Sequence, residues 1–462
     1  MVVVIPSYNN ERWVEKNLTS VLTQKYNNFR VVYIDDCSTD TTYKRVLELV
    51  EKYQQQERVT VIHNETRRGA LANLYTTIHE IEDNAIVVTV DGDDWLPRVE
   101  VLAYLNKLYT EKDIWLTYGQ FMEYPSGALC TDYSLDFSEE VIRNNTFRKV
   151  EHLPISHLRT FYAWLFKSIK LKDCLYEGDF YSMTWDKVMM APMIEMSAHR
   201  FYCVPNVLYV YNNSNPISDH RVNFELQASL ALYVLGLPPY EPITMQRNFD
   251  VCDDLDKATG VLLCRHQPNS ELIMNLLQNI HLSGSLYVLY PSDTGVTLAE
   301  DIRSVVFVPY NTSNLIQKLH DFIKISNHRY VLLCSDSICL NHEVALEVCI
   351  HALKNTQADL FYCAIGSKSD QNYFTKCLPL VENSHSIHAW YAQNKNDSWH
   401  IPVISMSLWP CDLFLEVIAQ CSAQNIEDLH DYIEVNVKEK NRLGLMFAEN
   451  LCEESNIRIG KS

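Results

Sequence analysis

The apolar run Ala85-Ile86-Val87-Val88-Thr89-Val90 ends abruptly in Asp91-Gly92-Asp93-Asp94, followed by Trp95-Leu96-Pro97. It is short, rich in β-branched residues and bounded by turn formers. That predicts a buried strand of a parallel sheet rather than a helix. Open α/β sheets gather their ligands at the carboxyl ends of such strands. Three carboxylates within four residues repel one another, so the pattern calls for a cation. Gly92 would let the backbone turn tightly enough for Asp91 and Asp93 to face one centre. Hard oxygen ligands of this kind suit Mg²⁺ or Mn²⁺ bridging to a phosphate-bearing substrate. Two other readings compete. An EF-hand loop needs glycine at its sixth position and glutamate at its twelfth, where this chain has Leu96 and Leu102. An acidic turn, with Asp93 or Asp94 capping a helix that starts near Pro97, is compatible with the motif taken alone.

The preceding residues bring more polar motifs to the same edge. Strand Val2–Ile5 runs into Pro6-Ser7-Tyr8-Asn9-Asn10, and the helix after it carries Trp13, Leu18, Val21 and Leu22 on its apolar side. Strand Phe29–Ile34 ends in Asp35-Asp36-Cys37-Ser38-Thr39-Asp40. Ser38 or Thr39 can cap the next helix, but a cap does not account for two adjacent carboxylates. One of them could accept a hydrogen bond from a nucleobase N–H. Strand Val59–His63 leads to Asn64-Glu65-Thr66-Arg67-Arg68-Gly69, whose arginines either meet a diphosphate or are solvated, and helix Ala70–Ile81 returns to the acidic strand. The first βα turn lacks G-x-G-x-x-G, which excludes a nicotinamide dinucleotide site. The whole chain has 12 glycines, so a glycine-rich phosphate loop of the sugar-nucleotidyltransferase kind is disfavoured.

Further on, the pattern predicts a helix over Leu102–Tyr109, a strand over Ile114–Gly119 and a core-facing helix over Leu158–Phe166, with Arg159 either a substrate contact or, by preference, a surface residue. Asp186 opens another helix, where the residues alone suggest an N-cap. Strand Val204–Tyr211 leads into the polar loop Asn212–His220, a candidate lid.

At 462 residues the chain has room for two domains, and its 47% hydrophobic and 21% charged content is that of a globular protein. The net charge of −19 argues against nucleic acid and anionic membranes as partners. No apolar run approaches the ~20 residues of a transmembrane helix. The N-terminus enters a strand at once, without a secretory n-region or cleavage site. The 14 cysteines form no C-x-x-C pair, and several lie in apolar runs. Buried free thiols and a cytoplasmic location are expected, with structural zinc disfavoured.

Pro6-Ser7-Tyr8-Asn9, Asp35-Asp36-x-Ser38-x-Asp40 and Asp91-Gly92-Asp93-Asp94, in this order and spacing, resemble the family 2 glycosyltransferases over residues 1–235. The resemblance implies a nucleotide-binding domain of the GT-A type and inverting transfer from a nucleotide-diphosphate sugar, UDP by preference. By that resemblance, Pro6, Ser7, Tyr8, Asn9 and Asp36 hold base and ribose, while Asp91 and Gly92 sit by ribose and sugar. Asp93 carries Mn²⁺ or Mg²⁺, His220 completes the metal site, and Asp186 is the general base. Members of the family often have arginine before the asparagine of the helix after the third strand. Here Ala72 precedes Asn73, so Arg67 or Arg68 is the candidate for the phosphates. The acceptor hydroxyl would belong to a glycan, a lipid-linked glycan or a protein.

After Leu237-Pro238-Pro239-Tyr240-Glu241-Pro242 the pattern restarts. Gly260–Cys264, Leu286–Tyr290, Val305–Pro309 and Tyr330–Ser335 repeat the order of the first four strands. The expected organisation is α/β throughout: two GT-A-like domains in tandem, at 1–236 and 249–462, joined by a linker at 237–248. In the second, Gln267-Pro268-Asn269 replaces the first motif and a single Asp336 stands where the acidic cluster stood, so neither metal nor transfer is expected there. His385, His388 and His400 with Trp390 and Trp399 are candidates for a sugar-stacking surface. Two functions compete with transfer: a non-catalytic nucleotide-sugar or glycan-binding protein, and a sugar nucleotidyltransferase.

Overall fold

The computed structural model describes residues 1–243 except 131–135, 151–152 and 218, and 258–447 except 281, 283–285, 295–304, 327, 337, 341–343, 345, 364–376, 383–384, 392–405 and 441, together with Cys452–Glu454. It divides into two compact units, Met1–Tyr176 with Phe180–Phe249, and Asp250–Ser462 with Glu177–Asp179.

The first unit opens with β1 (Val2–Ser7), α1 (Val14–Leu22), β2 (Arg30–Asp35), α2 (Thr42–Lys52), β3 (Val59–His63), α3 (Ala70–His79) and β4 (Ile86–Thr89). It continues with α4 (Val101–Glu111), β5 (Leu116–Tyr124), β6 (Arg159–Tyr162), α5 (Trp185–Ser197), β7 (Phe201–Asn212) and α6 (Phe224–Gly236). The sheet order is β7-β5-β6-β4-β1-β2-β3. β4, β1, β2 and β3 are parallel, and β6 lies antiparallel between β4 and β5. Val2, Val3, Val4 and Ile5 are all fully buried, as a parallel strand covered on both faces requires. Val3, Ile5, Tyr33, Val88 and Val90 pack with Leu18 and Val21 of α1, Val46 of α2 and Leu102 and Leu105 of α4.

Two local expectations change. Leu158–Phe166 is not one helix: Arg159–Tyr162 is strand β6, and only Ala163–Lys167 is helical. Apolar side chains cover both faces of this stretch, so no period told strand from helix. The proline-rich stretch after α6 also starts as a strap rather than a free linker. Tyr240 N–H donates to Glu195 of α5 (3.0 Å), Asn145 donates to the Tyr240 carbonyl (2.7 Å), and Ile243 N–H donates to the Met196 carbonyl (2.9 Å). Glu195 is fully buried and also takes a two-point fork from Arg148, at 2.6 and 2.9 Å.

The second unit has β8 (Ala258–Leu263), β9 (Leu286–Pro291), β10 (Val305–Tyr310), β11 (Tyr330–Ser335), β12 (Leu360–Tyr362), β13 (Cys377–Glu382), β14 (His385–Tyr391), β15 (Ser407–Pro410) and β16 (Leu443–Phe447). Their order is β10-β9-β8-β11-β15-β12-β16-β14-β13. The first seven repeat the first unit from β3 to β7. The direction repeats too, since β15 lies antiparallel between β11 and β12 as β6 does between β4 and β5. No helix among the described residues is long and apolar enough to cross a membrane, and the ten cysteines whose side chains are described are not in disulfides.

Candidate active site

The carboxyl ends of β1, β2 and β4 open onto a cleft of about 290 Å³. Its walls include Pro6, Ser7, Tyr8, Asp36, Asp91, Gly92, Asp93 and Asp186, so most of the residues singled out in the sequence meet there. Asn9 is absent from these walls. It takes a left-handed backbone (φ 51°), accepts from Thr39 N–H (2.8 Å) and donates its own N–H to Ser38 (2.9 Å), tying the first two motifs together. Its neighbour Asn10 lines the cleft instead.

The acidic loop is held from beneath by Asn17 of α1, which donates to the carbonyls of Asp91 (2.9 Å) and Asp94 (2.7 Å). Neither Asp93 nor Asp94 caps a helix, because α4 begins only at Val101, after Glu100. Asp94 instead joins the loop to β7: its oxygens accept from Tyr209 O–H and Asn212 N–H, both at 2.7 Å. Burial, together with the charges of Asp93 and Asp91, pushes its carboxyl well above the usual range. Asp93 accepts from Asn215 Nδ2 (2.7 Å), and burial raises it against that bond.

Gly92 is required for a reason other than turning, since its backbone is not left-handed. A Cβ there would lie 2.4 Å from Ser7 Oγ and 2.8 Å from Asn10 Nδ2. Ser7 cannot retreat, because it accepts from Tyr33 O–H (2.9 Å) and Asn10 (3.1 Å). Gly92→Ala should therefore cost about 1–3 kcal/mol by overpacking, which thermal melts of the variant beside wild type check.

The adjacent carboxylates of the second motif divide their work. Asp35, fully buried, pairs with His63 Nδ1 (2.7 Å). Asp36 organises the loop after β3, accepting from Asn64 Nδ2 (2.8 Å) and from Arg68 and Gly69 N–H (2.9 and 2.8 Å). Burial would raise its pKa, but these bonds and Asn73 outweigh burial and lower it. A carboxyl lowered on folding adds stability above its unfolded pKa and loses it as pH falls through the folded one. Asp36→Asn should thus lower Tm at neutral pH, by about 1–3 kcal/mol of stability. The gap to wild type should close in melts taken below the ordinary carboxylate range.

Arg67, rather than Arg68, presents its side chain to the cleft, with its guanidinium 3.9 Å over the Tyr8 ring. The Arg68 side chain lines a separate hollow with Arg30, Ile62 and Thr76. His220 lies in the short helix Asp219–Val222, and its side chain is outside the described residues. So are those of His385, His388, Trp390, Trp399 and His400.

Asp186 sits in the first turn of α5 and does not cap it. Thr184, left-handed at φ 62°, precedes the helix. The expected surface arginine proves to be its partner. Arg159 is 4% exposed and reaches Asp186 Oδ2 with Nη2 at 3.2 Å. Arg159 Nη1 lies 3.3 Å from Nδ1 of His157, whose ring stacks on Tyr209 at 4.3 Å. Burial and the neighbouring guanidinium hold His157 well below its usual pKa, hence neutral. Asp91, Asp94 and His157 bring possible ligand atoms within 4.8 Å of one another. Asp94 already spends its oxygens on β7, however, and His157 faces a cation, so this trio fits a metal poorly. Sequence reasoning missed His157, Arg159, Tyr209 and Asn215 as parts of one site, because their partners lie far away along the chain.

Comparison with known proteins decides the family. Residues 2–172 match the family described as Glycosyl transferase family 2. Residues 2–172 are thus a family 2 glycosyltransferase domain. The chain is 33% identical over 98 residues to the poly(ribitol-phosphate) beta-N-acetylglucosaminyltransferase TarS of Staphylococcus aureus, a stretch covering 21% of this chain and 16% of TarS. It is 32% identical over 95 residues to the UDP-Glc:alpha-D-GlcNAc-diphosphoundecaprenol beta-1,3-glucosyltransferase WfgD of Escherichia coli, covering 20% of this chain and 35% of WfgD. The match therefore spans well under half the length of either relative. Among solved structures, S. aureus TarS 1-349 in complex with UDP-GlcNAc aligns with a TM-score of 0.37 and 18% identity, over 52% of this chain and 68% of that one.

Proposed function

We propose that the glycosyltransferase domain moves a sugar from a UDP-sugar to an acceptor hydroxyl with inversion, and that it needs Mn²⁺ or Mg²⁺. The observation that carries this reading is the charge balance of one cleft. Among the described residues, Asp36, Asp91, Asp93, Asp94 and Asp186 line it against two cationic side chains, Arg67 and Arg159. A diphosphate would enter such a cleft only with additional positive charge. Asp93, with Asp91 beside it, supplies the hard oxygen donors a divalent cation takes, and His220 is a further candidate ligand. When bound, the cation stabilises charge developing on the leaving diphosphate.

Tyr8 and Arg67 bound the nucleotide side of the cleft, while Pro6, Ser7 and Gly92 fix its floor. Asp186 takes the proton of the attacking hydroxyl as the bond to the anomeric carbon forms and the bond to the diphosphate oxygen breaks. No covalent enzyme intermediate is needed. UDP is favoured because relatives are named for UDP-Glc and N-acetylglucosamine transfer. The acceptor belongs to a glycan, a lipid-linked glycan or a protein. Free thiols throughout the described residues fit a reducing, cytoplasmic setting.

The second unit is proposed as a non-catalytic copy of the same architecture. Its lone counterpart acid, Asp336, accepts from Arg265 N–H (2.7 Å) and so braces its own loop. Incubation with a panel of UDP-sugars and Mn²⁺, following UDP release, tests the whole reading. Release that is lost in Asp93→Ala but kept in Asp336→Ala supports it. Binding without turnover for every donor would leave a non-catalytic sugar-nucleotide-binding protein, and pyrophosphate production would indicate a nucleotidyltransferase.

A further inference from the structure

Helix α5 carries two acidic residues paired with arginine, and the pairs are built differently. Glu195 is enclosed: both its oxygens take the Arg148 fork and one also takes Tyr240 N–H. Asp186 is a third exposed and meets Arg159 through one oxygen alone. Its Oδ1 accepts no hydrogen bond from the described residues and remains available on the cleft wall. A closed fork serves packing, whereas a one-point contact leaves a working oxygen. Arg159 is itself held on its other side. Nη1 rests on neutral His157, His157 stacks on Tyr209, and Tyr209 O–H donates to Asp94 while accepting from Asp91 N–H (3.1 Å). The Trp185 ring lies 5.5 Å from the guanidinium.

Resting on the transferase reading above, we propose that Arg159 is a positioning residue. It occupies Asp186 Oδ2 so that Oδ1 faces the acceptor hydroxyl, and through His157 and Tyr209 it sets that oxygen relative to the acidic loop. A misplaced base costs up to about a hundredfold in rate. The chain of contacts is a route by which donor-side geometry reaches the base. Removal of Arg159 should therefore act on turnover through Asp186, not on donor affinity.

The test is a double-mutant cycle on the full chain, using UDP-glucose or UDP-N-acetylglucosamine with Mn²⁺, whichever the wild type hydrolyses or transfers. Arg159→Ala should lower kcat about 10–100-fold, with KM for the donor and calorimetric UDP affinity within about twofold. In an Asp186→Asn background the same change should cost less than about twofold, because the effect runs through a base no longer there. Arg159→Lys keeps the charge but cannot bridge Asp186 and His157 at once, so it should recover only part of the rate. It also serves as the readable variant if Arg159→Ala does not fold. Equal losses with and without Asp186, or a loss confined to donor KM, would overturn the proposal and leave a packing or substrate-contact role. Absence of turnover in the wild type would instead remove the transferase reading itself, and this inference with it.

Discussion

Asp186→Asn should lower kcat about 10²–10⁴-fold, the usual contribution of a positioned general base, while UDP affinity stays at its wild-type value. The substitution keeps the volume of the side chain and an oxygen for Arg159 Nη2, now at 3.2 Å from Oδ2. It removes only the ability to accept a proton. Alanine is the poorer probe, because it would strand a guanidinium that is 4% exposed, and an unpaired buried charge destabilises by about 3–5 kcal/mol. Steady-state kinetics beside calorimetric UDP titration separate the two effects. Wild-type turnover in the asparagine variant would remove Asp186 from the mechanism.

Chelation should have an effect of comparable size. Exhaustive EDTA treatment is expected to abolish UDP release, and added Mn²⁺ or Mg²⁺ to restore it. Asp93→Asn should lose about 10³-fold in kcat/KM, corresponding to several kcal/mol of charge stabilisation. Stability should move the other way. Burial raises the Asp93 carboxyl, and its charge raises Asp94 in turn, so the metal-free fold bears a repulsion that asparagine relieves. The metal-free variant should melt no lower than metal-free wild type and gain less from Mn²⁺ than wild type does. Full activity after chelation, or an Asp93→Asn protein that melts far lower, would contradict this account.

The parallel half of the first sheet was legible because its strands are buried on both faces and written as unbroken β-branched runs ending in polar motifs. Strand order in the second unit was legible for the same reason, through spacing rather than residue identity. Strand β6 was not, since Leu158–Phe166 offers no period to choose between strand and helix. The residues that the sequence singled out meet where a motif sits next to its own strand end, as with Tyr8, Asp91 and Asp93, all of which line one cleft. The site was read poorly where a residue's meaning lies in a distant partner. Arg159 looks like any polar residue until β6 brings it to α5, 27 positions later in sequence. Asn9 and Asn10 are adjacent and chemically identical, and only a left-handed backbone at Asn9 decides which one faces the cleft. Gly92 was identified for the wrong reason, because crowding by Ser7 is invisible in one dimension.

The strap at Tyr240 bears on where the first domain can be severed. Cutting after Gly236, at the end of α6, would strip Glu195 of a backbone donor and leave the Asn145 amide without its carbonyl (2.7 Å). It would also free the Met196 carbonyl near the far end of the helix that carries Asp186. A free-standing transferase fragment should therefore extend through Ile243, and shorter versions should express as less stable proteins whose defect lies far from any substrate.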